Sequence, residues 1–246
     1  MNRYQILIEY VGTNFKGWQI QKKGITVQGL LQQEISKILK EKIKVYGSGR
    51  TDAGVHAIQQ SAHFDCSHEI KDLKKIFNSI NFFINPYQVT LLKLIKKNSN
   101  FHARFSAKKR LYKYVIINRT GVPAIDKKRS WHVRKDLDLG LMKKGALKLL
   151  GKKDFSTFRA SSCNAKSPIR TMEKVTVTKS KNKIIIKFQS QSFLQQQVRS
   201  MVGCLKYLGE QKWTLNQFVK VIKSKNRKLC APPAPAEGLF LERVFY

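Results

Sequence analysis

The sequence predicts an α+β fold built from two similar halves, each approximating the element order β-α-β-β-α-β. Apolar residues alternate in short runs, as on strands, and recur at helical spacing between those runs. The same order of runs occurs twice along the chain. Two such ferredoxin-like units can join their sheets side by side. A chain of 246 residues with 42% hydrophobic residues is long and apolar enough to form two small domains.

The first half begins with strict alternation and contains the one glycine-rich loop of interest. Thr26 precedes the first helical run and is a candidate N-cap. The expected elements, in order, are a strand at 4–10, a helix at 27–39, a strand ending near 45, a strand at 56–64, a helix at 70–80 and a strand at 89–95.

The second half begins near Phe105, so we expect domains at 1–105 and 106–246. Asp136 and Asp138 favour the N-terminus of a helix at 137–150, and Lys181-Asn182 suits a hairpin turn. The proline-rich residues 231–235 suggest a stiff linker. The expected elements are strands at 111–117, 174–178, 184–188 and 239–246, with helices at 137–150, 193–205 and 215–222.

The formal net charge is +33, from 48 basic and 15 acidic residues. Such a surplus favours a polyanionic partner, with RNA or DNA ahead of an anionic membrane surface. No apolar run approaches the roughly 20 residues needed to span a bilayer. The N-terminus enters a strand pattern at once and does not resemble a secretory signal. We therefore expect a cytoplasmic protein.

The cysteines and histidines give little indication of a metal site or of a disulfide framework. No C-x-x-C pair occurs, which argues against a structural zinc site of the usual spacing. A disulfide framework is not expected without an export signal. A metal site at His63, Cys66 and His68 is the less favoured interpretation of those neighbours. The four cysteines are scattered, at Cys66, Cys163, Cys204 and Cys230.

One carboxylate stands alone in a glycine-punctuated loop. Asp52 lies in residues 47–57 (GSGRTDAGVHA), and no other acid occurs between Glu41 and Asp65. Arg50 is the nearest charged residue. A carboxylate so placed is a candidate nucleophile or general base. The alternative is a turn cap that bonds a nearby backbone N–H.

This eleven-residue run closely resembles the catalytic loop of the tRNA pseudouridine synthases that act on the anticodon arm, the tRNA pseudouridine synthase A family. The resemblance implies two ferredoxin-like or RRM-like halves that share a continuous, mostly antiparallel sheet with a central active-site cleft. Further segments resemble the family in the expected order, at residues 10–19 (YVGTNFKGWQ), 26–31 (TVQGLL), 101–107 (FHARFSA), 110–114 (RLYKY), 154–159 (DFSTFR), 198–203 (VRSMVG) and 234–239 (APAEGL).

The resemblance implies isomerisation of uridine to pseudouridine at tRNA positions 38, 39 and 40, by a homodimer that needs no cofactor or metal. Asp52 carries over as the catalytic residue. Arg50 would hold a phosphate or fill the space of an extruded base. Arg199 would pair with the catalytic carboxylate. Tyr112 would contact the target uracil, although Tyr112 and Tyr114 share a strand face and either could be sheet packing.

Several other residues have both a functional and an ordinary interpretation. Leu241 is a candidate floor for the uracil pocket or ordinary strand core. The segment 84–89 lacks the acid common in the family, and Gln195 to Gln197 replace a usual histidine or tyrosine, so substrate contacts are where this chain would differ. The candidate phosphate contacts, which could equally form a solvated face, are Lys108, Lys109, Arg110, Lys152 and Lys153.

Two competing functions remain at this stage. One is a non-catalytic RNA-binding or RNA-chaperone protein on the same fold, which basic charge and strand aromatics fit equally well. The other is a metal-dependent nuclease that uses Asp52, His56 and His63. His56 is more simply explained by packing or by a local hydrogen bond.

Overall fold

A computed structural model describes all 246 residues and contains ten β-strands and five α-helices. The strands are β1 (Asn2–Tyr10), β2 (Val45–Gly47), β3 (His56–Cys66), β4 (Val89–Lys97), β5 (Lys109–Asn118), β6 (Trp131–Val133), β7 (Gly151–Asp154), β8 (Ile169–Ser180), β9 (Lys183–Ser190) and β10 (Leu239–Phe245). The helices are α1 (Val27–Leu39), α2 (Leu73–Ile84), α3 (Leu139–Lys148), α4 (Gln197–Gly209) and α5 (Leu215–Lys223).

The predicted α+β class with mostly antiparallel strand pairing is confirmed. The pairs β1–β3, β1–β4, β2–β3, β5–β9, β7–β8 and β8–β9 run antiparallel, whereas β10–β3 and β5–β6 run parallel. The chain forms two compact units, Met1–Lys108 with Phe240–Tyr246, and Lys109–Leu239. No helix is both long and apolar enough to cross a membrane.

The first unit follows the predicted β-α-β-β-α-β order through β4. Its strands lie in the order β4-β1-β3-β10, and β2 also pairs with β3. In the parallel β10–β3 pair, Phe240 lies opposite His56 and Leu241 opposite Ala57. The last strand of the chain, β10, therefore belongs to the sheet of the N-terminal unit.

The second unit has strands in the order β5-β9-β8-β7, with β6 paired to β5. The predicted hairpin is the β8–β9 pair, and Lys181 at its turn has a left-handed φ of 51°. Helix α4 begins at Gln197 rather than at 193 as predicted. Gln196 has a left-handed φ of 59°, and the Gln197 side chain accepts the Leu194 N–H at 2.8 Å, which ends the preceding loop.

Predicted helix starts are confirmed by side-chain caps. The Thr26 hydroxyl accepts the Gly29 N–H at 3.2 Å, and the Asp138 carboxylate accepts the Leu141 N–H at 2.9 Å. The amphipathic faces that follow each cap are buried in their own unit. Fully buried core residues include Tyr4, Ile6, Ile8, Leu31 and Ile80 in the first unit and Phe155, Phe158, Ile184, Phe188, Met201 and Phe218 in the second.

Candidate active site

The loop that carries Asp52 connects β2 to β3 and is bonded along its length to β3. The Ser48 N–H donates to the Ser61 carbonyl at 2.8 Å, and the Gln60 side chain donates to the Gly49 carbonyl at 2.9 Å. Within the loop, the Val55 N–H donates to the Asp52 carbonyl at 3.1 Å. These bonds fix the loop on its strand, so that the position of Asp52 depends on the sheet.

Thr51, the residue before Asp52, is held from the opposite side by the segment after β1. Its hydroxyl lies 2.8 Å from the buried Tyr10 hydroxyl, and its carbonyl accepts the Trp18 N–H at 3.0 Å. Gly17 has a φ of +97°, and a Cβ there would lie 2.7 Å from the Thr51 carbonyl oxygen. Only glycine suits this backbone angle and this approach. Thr51 is therefore fixed through both its side chain and its backbone.

Three consecutive residues of the loop, from Arg50 to Asp52, differ in their exposure to solvent. Thr51 is buried, Asp52 is half-buried and Arg50 is exposed. The carboxylate thus sits at the surface of a fixed backbone, and the guanidinium two residues away is open to solvent. A carboxylate in this setting can act as nucleophile or base on a molecule that reaches the loop.

His56, which follows the loop, has a structural role. It is almost completely buried, its Nδ1 accepts the Gly12 N–H at 3.0 Å, and its ring stacks on Phe240 with centroids 4.7 Å apart. Because Nδ1 accepts that bond, the proton of the neutral ring lies on Nε2, and neither nitrogen offers a lone pair to a metal. The packing interpretation of His56 is therefore the one that the geometry favours.

The residues of the metal hypothesis are engaged in other bonds. His63 Nδ1 accepts the Ala103 N–H at 3.2 Å, and the Cys66 thiol donates to the His68 carbonyl at 3.0 Å. No three histidine, cysteine, aspartate or glutamate side chains come close enough to hold a metal ion. The arrangement offers no donor set for metal-dependent cleavage by Asp52, His56 and His63.

His63 lies in an aromatic and charged cluster of the first unit. Burial, together with the smaller effects of the neighbouring His102 and Arg3, lowers the pKa of His63 to about 4, against the opposing effects of Asp65 and a hydrogen bond with the Tyr46 backbone. The His63 ring stacks on Tyr46 at 5.1 Å and meets His102 edge-on at 4.6 Å. The imidazole is thus kept neutral at physiological pH.

In the second unit, Tyr112 and Tyr114 lie on the same face of β5, as predicted. Tyr112 is 8% exposed, and its ring meets Phe193 edge-on at 5.0 Å. Tyr114 is fully buried, and its hydroxyl donates to the Pro235 carbonyl at 2.8 Å. Tyr114 is therefore a packing residue, and Tyr112 is the one that retains surface access.

Arg199 lies in the first turn of α4 and is bonded to residues that the sequence suggested were a linker. Its Nε donates to the Ala234 carbonyl at 2.7 Å, and the Ala234 N–H donates back to the Arg199 carbonyl at 2.9 Å. These reciprocal bonds fix the direction in which the guanidinium points. The second unit thus holds Arg199 and Tyr112, and the first unit holds Asp52 and Arg50.

The candidate phosphate contacts divide by exposure. Lys108, Lys109 and Lys152 are all exposed, but Lys109 pairs with Glu173 at 3.1 Å. Arg110 is buried and donates to the Gln191 carbonyl at 2.5 Å, and Lys153 donates to the Leu150 carbonyl. Lys108 and Lys152 are thus the most accessible candidates of the group. Leu241, the candidate pocket floor, is completely buried in β10.

Sequence reasoning missed Tyr10, Thr51, Phe193 and Phe240 as supports of candidate site residues. Tyr10 belongs to the alternation of the first strand and to the segment 10–19, neither of which indicates a contact with Thr51, which is distant along the chain. Phe193 was assigned to a helix that begins after it. The one available signal for the contact between Tyr10 and Thr51 was that both residues lie in segments that resemble the family, 10–19 and 47–57.

Comparisons with known proteins agree over nearly the whole chain. A family model described as tRNA pseudouridine synthase matches residues 6–113 and 146–246. A protein of Pelagibacter ubique (strain HTCC1062), named tRNA pseudouridine synthase A, is 64% identical over 246 residues, which is 100% of both chains. One of the same name from Paramagnetospirillum magneticum (strain ATCC 700264 / AMB-1) is 44% identical over 246 residues, 100% of this chain and 96% of the relative.

Among solved structures, one chain from a crystal structure of a Cbf5-Nop10-Gar1 complex matches with a TM-score of 0.33 and 13% sequence identity. The match covers 83% of this chain and 53% of that chain. This likeness is too weak to carry an argument about the fold.

Proposed function

The chain belongs to the tRNA pseudouridine synthase family, and on this premise we propose that it isomerises uridines 38, 39 and 40 in the anticodon stem-loop of tRNA. As a member of this family, the protein is an isomerase that acts on uridine in tRNA. The observation that carries the proposal is the half-buried Asp52 on a loop fixed through Thr51.

The reaction moves one glycosidic bond within the same nucleotide. The base is detached from the sugar at N1, turned, and reattached through C5, so the atoms of substrate and product are the same. The Asp52 carboxylate can attack the anomeric carbon, attack the base ring, or assist proton removal from the sugar. Each role needs the carboxylate at a fixed place, and the anchors on Thr51 fix the backbone next to it.

Arg50, Tyr112 and Arg199 complete the proposed site. The exposed guanidinium of Arg50 suits a bidentate contact with a tRNA phosphate or the space of the extruded base. Tyr112 would stack on the flipped uracil, a contact worth about 1–3 kcal/mol. Arg199 would pair with the Asp52 carboxylate and orient it. Its reciprocal bonds with Ala234 support this role, because they orient the side chain.

We propose that residues 1–105 form the half that carries the catalytic aspartate loop. Residues 106–246 would complete the cleft and the RNA-binding surface. The net charge of +33 supports binding to the tRNA backbone. We also propose a cytoplasmic homodimer, as in the family that the chain resembles. Extruding a uridine costs a few kcal/mol, which phosphate contacts by exposed residues such as Lys108 and Lys152 would offset.

A non-catalytic RNA-binding role is not favoured. A carboxylate next to RNA phosphates is repelled by them, so a protein that only binds has no use for Asp52 there. We expect Asp52→Ala to abolish isomerisation and to retain most tRNA binding. The fixed loop would then still present Arg50 and the basic surface.

The test is incubation of purified protein with an unmodified tRNA transcript bearing uridines at 38, 39 and 40, with EDTA present and no cofactor added. Pseudouridine is mapped by carbodiimide labelling and reverse transcription, and RNA integrity is checked on a gel. Asp136→Ala, which removes an exposed carboxylate in the second unit, is the matched control. Wild type and the control should modify the anticodon arm, whereas Asp52→Ala should not.

Substantial turnover by Asp52→Ala would refute the catalytic assignment. Tight, salt-sensitive binding of wild type without any product would support the non-catalytic interpretation. Modification confined to another arm of the tRNA would retain the enzyme and overturn the proposed positions.

A further inference from the structure

Two cysteines that are distant in sequence meet in the second unit. The sulfur atoms of Cys204 and Cys230 lie 3.5 Å apart, and both residues are free thiols. Cys204 is on α4 and is fully buried, whereas Cys230 follows the short 3-10 turn Arg227–Leu229 and is partly exposed. Cys230 is therefore the member of the pair that is nearer to solvent, and Cys204 lies in the core within contact distance of it.

The contact is built by the residues on both sides of it. On one side, the Arg227 guanidinium donates to the Ser200 hydroxyl at 2.8 Å. On the other side, Arg199 and Ala234 exchange two hydrogen bonds, at 2.7 and 2.9 Å. These bonds place the segment from 227 to 234 along α4.

The backbone of this segment also approaches the helix closely. A Cβ added at Gly203, the residue before Cys204, would lie 2.1 Å from the Pro232 carbonyl oxygen. Only glycine leaves room for that approach. The thiol contact is thus fixed by the fold and does not depend on the two cysteine side chains alone.

The two thiols differ in their readiness to lose a proton. The hydrogen bond from the Cys204 thiol lowers the pKa of Cys230, and the charge and hydrogen bond of Arg227 lower it further, against the opposing effect of burial. The same bond to Cys230 raises the pKa of Cys204, and burial adds to the rise. A thiolate is the nucleophile in disulfide exchange, so Cys230 is suited to react first.

We propose that Cys230 and Cys204 form a reversible modification site for low-molecular-weight disulfides of the glutathione type. This site lies beyond the proposed tRNA chemistry and does not depend on it. In cytoplasmic proteins, disulfides are rare and usually transient or redox-sensing, and a pair with one accessible thiol and one resolving thiol is the arrangement that such chemistry uses.

The reaction proceeds in two exchanges. The Cys230 thiolate attacks one sulfur of the small disulfide, whose S–S bond breaks and releases one small thiolate. Cys204 then gives up its proton and attacks the Cys230 sulfur of the mixed disulfide, which releases the second small thiolate. Two protein thiols are oxidised by two electrons, and the small disulfide is reduced to two thiols.

The bond would shorten the distance between the sulfurs from 3.5 Å to about 2.05 Å. Because Ala234 lies four residues after Cys230 and is bonded to Arg199, the new bond would tie the support of Arg199 covalently to α4. The site therefore offers a way to couple oxidation to the position of this arginine.

The test is exposure of the folded, reduced protein to glutathione disulfide near neutral pH, followed by alkylation of free thiols and peptide mass spectrometry. We expect a linked peptide pair containing Cys204 and Cys230 and its complete reversal by dithiothreitol. Cys66 and Cys163, both buried, should be recovered as alkylated thiols. Since wild type provides this readout, the result does not depend on whether any variant folds.

Variants separate the two steps. Cys204→Ser should stop at a mixed disulfide on Cys230, Cys230→Ser should form neither product, and Cys163→Ser should react as wild type. Arg227→Gln should slow formation of the mixed disulfide several-fold near neutral pH, with a smaller difference at alkaline pH. Recovery of Cys204 and Cys230 as free thiols, or modification of Cys66 or Cys163 as fast as that of Cys230, would overturn the proposal.

Discussion

The Asp52 loop and the first turn of α4 each position a charged residue of the proposed site, but they do so with different chemistry. Thr51 is fixed by the Tyr10 hydroxyl and the Trp18 amide. Arg199 is fixed by the Ala234 backbone, in a segment that also carries one thiol of a close pair. The residues that hold Thr51 contain no thiol, whereas the segment that holds Arg199 contains Cys230, which we propose can be oxidised.

The largest effect is expected when the Asp52 loop is displaced while the side chains of Arg50 and Asp52 are kept. Gly17→Ala places a methyl group 2.7 Å from the Thr51 carbonyl oxygen at a φ of +97°. We expect single-turnover pseudouridine formation to fall about 100-fold, since a displacement of about 1 Å can have that effect. Binding of tRNA, measured by filter retention, should change little.

Gly121→Ala is the matched control, because a Cβ at Gly121 meets no atom within 4 Å. Equal rates for the two alanine variants would show that the approach of Gly17 does not position Asp52.

The second prediction concerns the first unit alone, where burial of His63 should make the free energy of unfolding depend on pH. The pKa of His63 is about 4 in the folded protein and about 6.5 when unfolded. Between these values the unfolded chain binds a proton that the folded chain does not. The stability contribution is therefore complete above pH 6.5 and is lost as the pH falls toward 4.

We expect the unfolding free energy attributable to His63 to fall by about 2 kcal/mol between pH 7 and pH 5. Urea unfolding of wild type and His63→Gln at both pH values measures the difference. The exposed His68→Gln is the control. Parallel pH dependence in wild type and His63→Gln would exclude His63 as the source.

The third and smallest effect compares one tyrosine hydroxyl from each region. Tyr10→Phe removes the 2.8 Å contact with Thr51, and Tyr114→Phe removes the 2.8 Å bond to Pro235. Each should lower the unfolding free energy by about 1 kcal/mol. Turnover should fall several-fold for Tyr10→Phe, because its partner adjoins Asp52, and less for Tyr114→Phe.

Thermal unfolding and single-turnover rates of both variants provide the measurement, with Tyr87→Phe, an exposed tyrosine, as reference. A larger loss of turnover in Tyr114→Phe than in Tyr10→Phe would invert the comparison.

The sequence predicted best where the signal is local. Alternation located β1 and β3, and the candidate N-cap Thr26 and the acids at 136 and 138 located two helix starts to within two residues. The strands β6 and β7 were missed, because three or four residues show too little alternation and β7 reads Gly-Lys-Lys-Asp. The start of α4 was misplaced because Phe193 and Leu194 continue its apolar spacing, while the left-handed Gln196 interrupts it.

The candidate site followed the same rule. Asp52 and Arg50 were identified from one contiguous motif, residues 47–57. The contacts that fix the site are between residues far apart in sequence, such as Tyr10 with Thr51 and Arg199 with Ala234. Residues 231–235 read as a linker because their prolines preclude regular structure, and composition gives no sign that they lie along a helix.

The return of β10 to the first unit has a consequence for how the protein is made on the ribosome. Phe240, which stacks on His56, and Tyr246, whose hydroxyl lies 2.7 Å from that of Ser61, are synthesised after the whole second unit. Domains usually fold as they emerge, N-terminal first. Here the unit that carries Asp52 cannot be completed until residues 240–246 emerge, so its sheet lacks β10 for as long as the second unit is being synthesised.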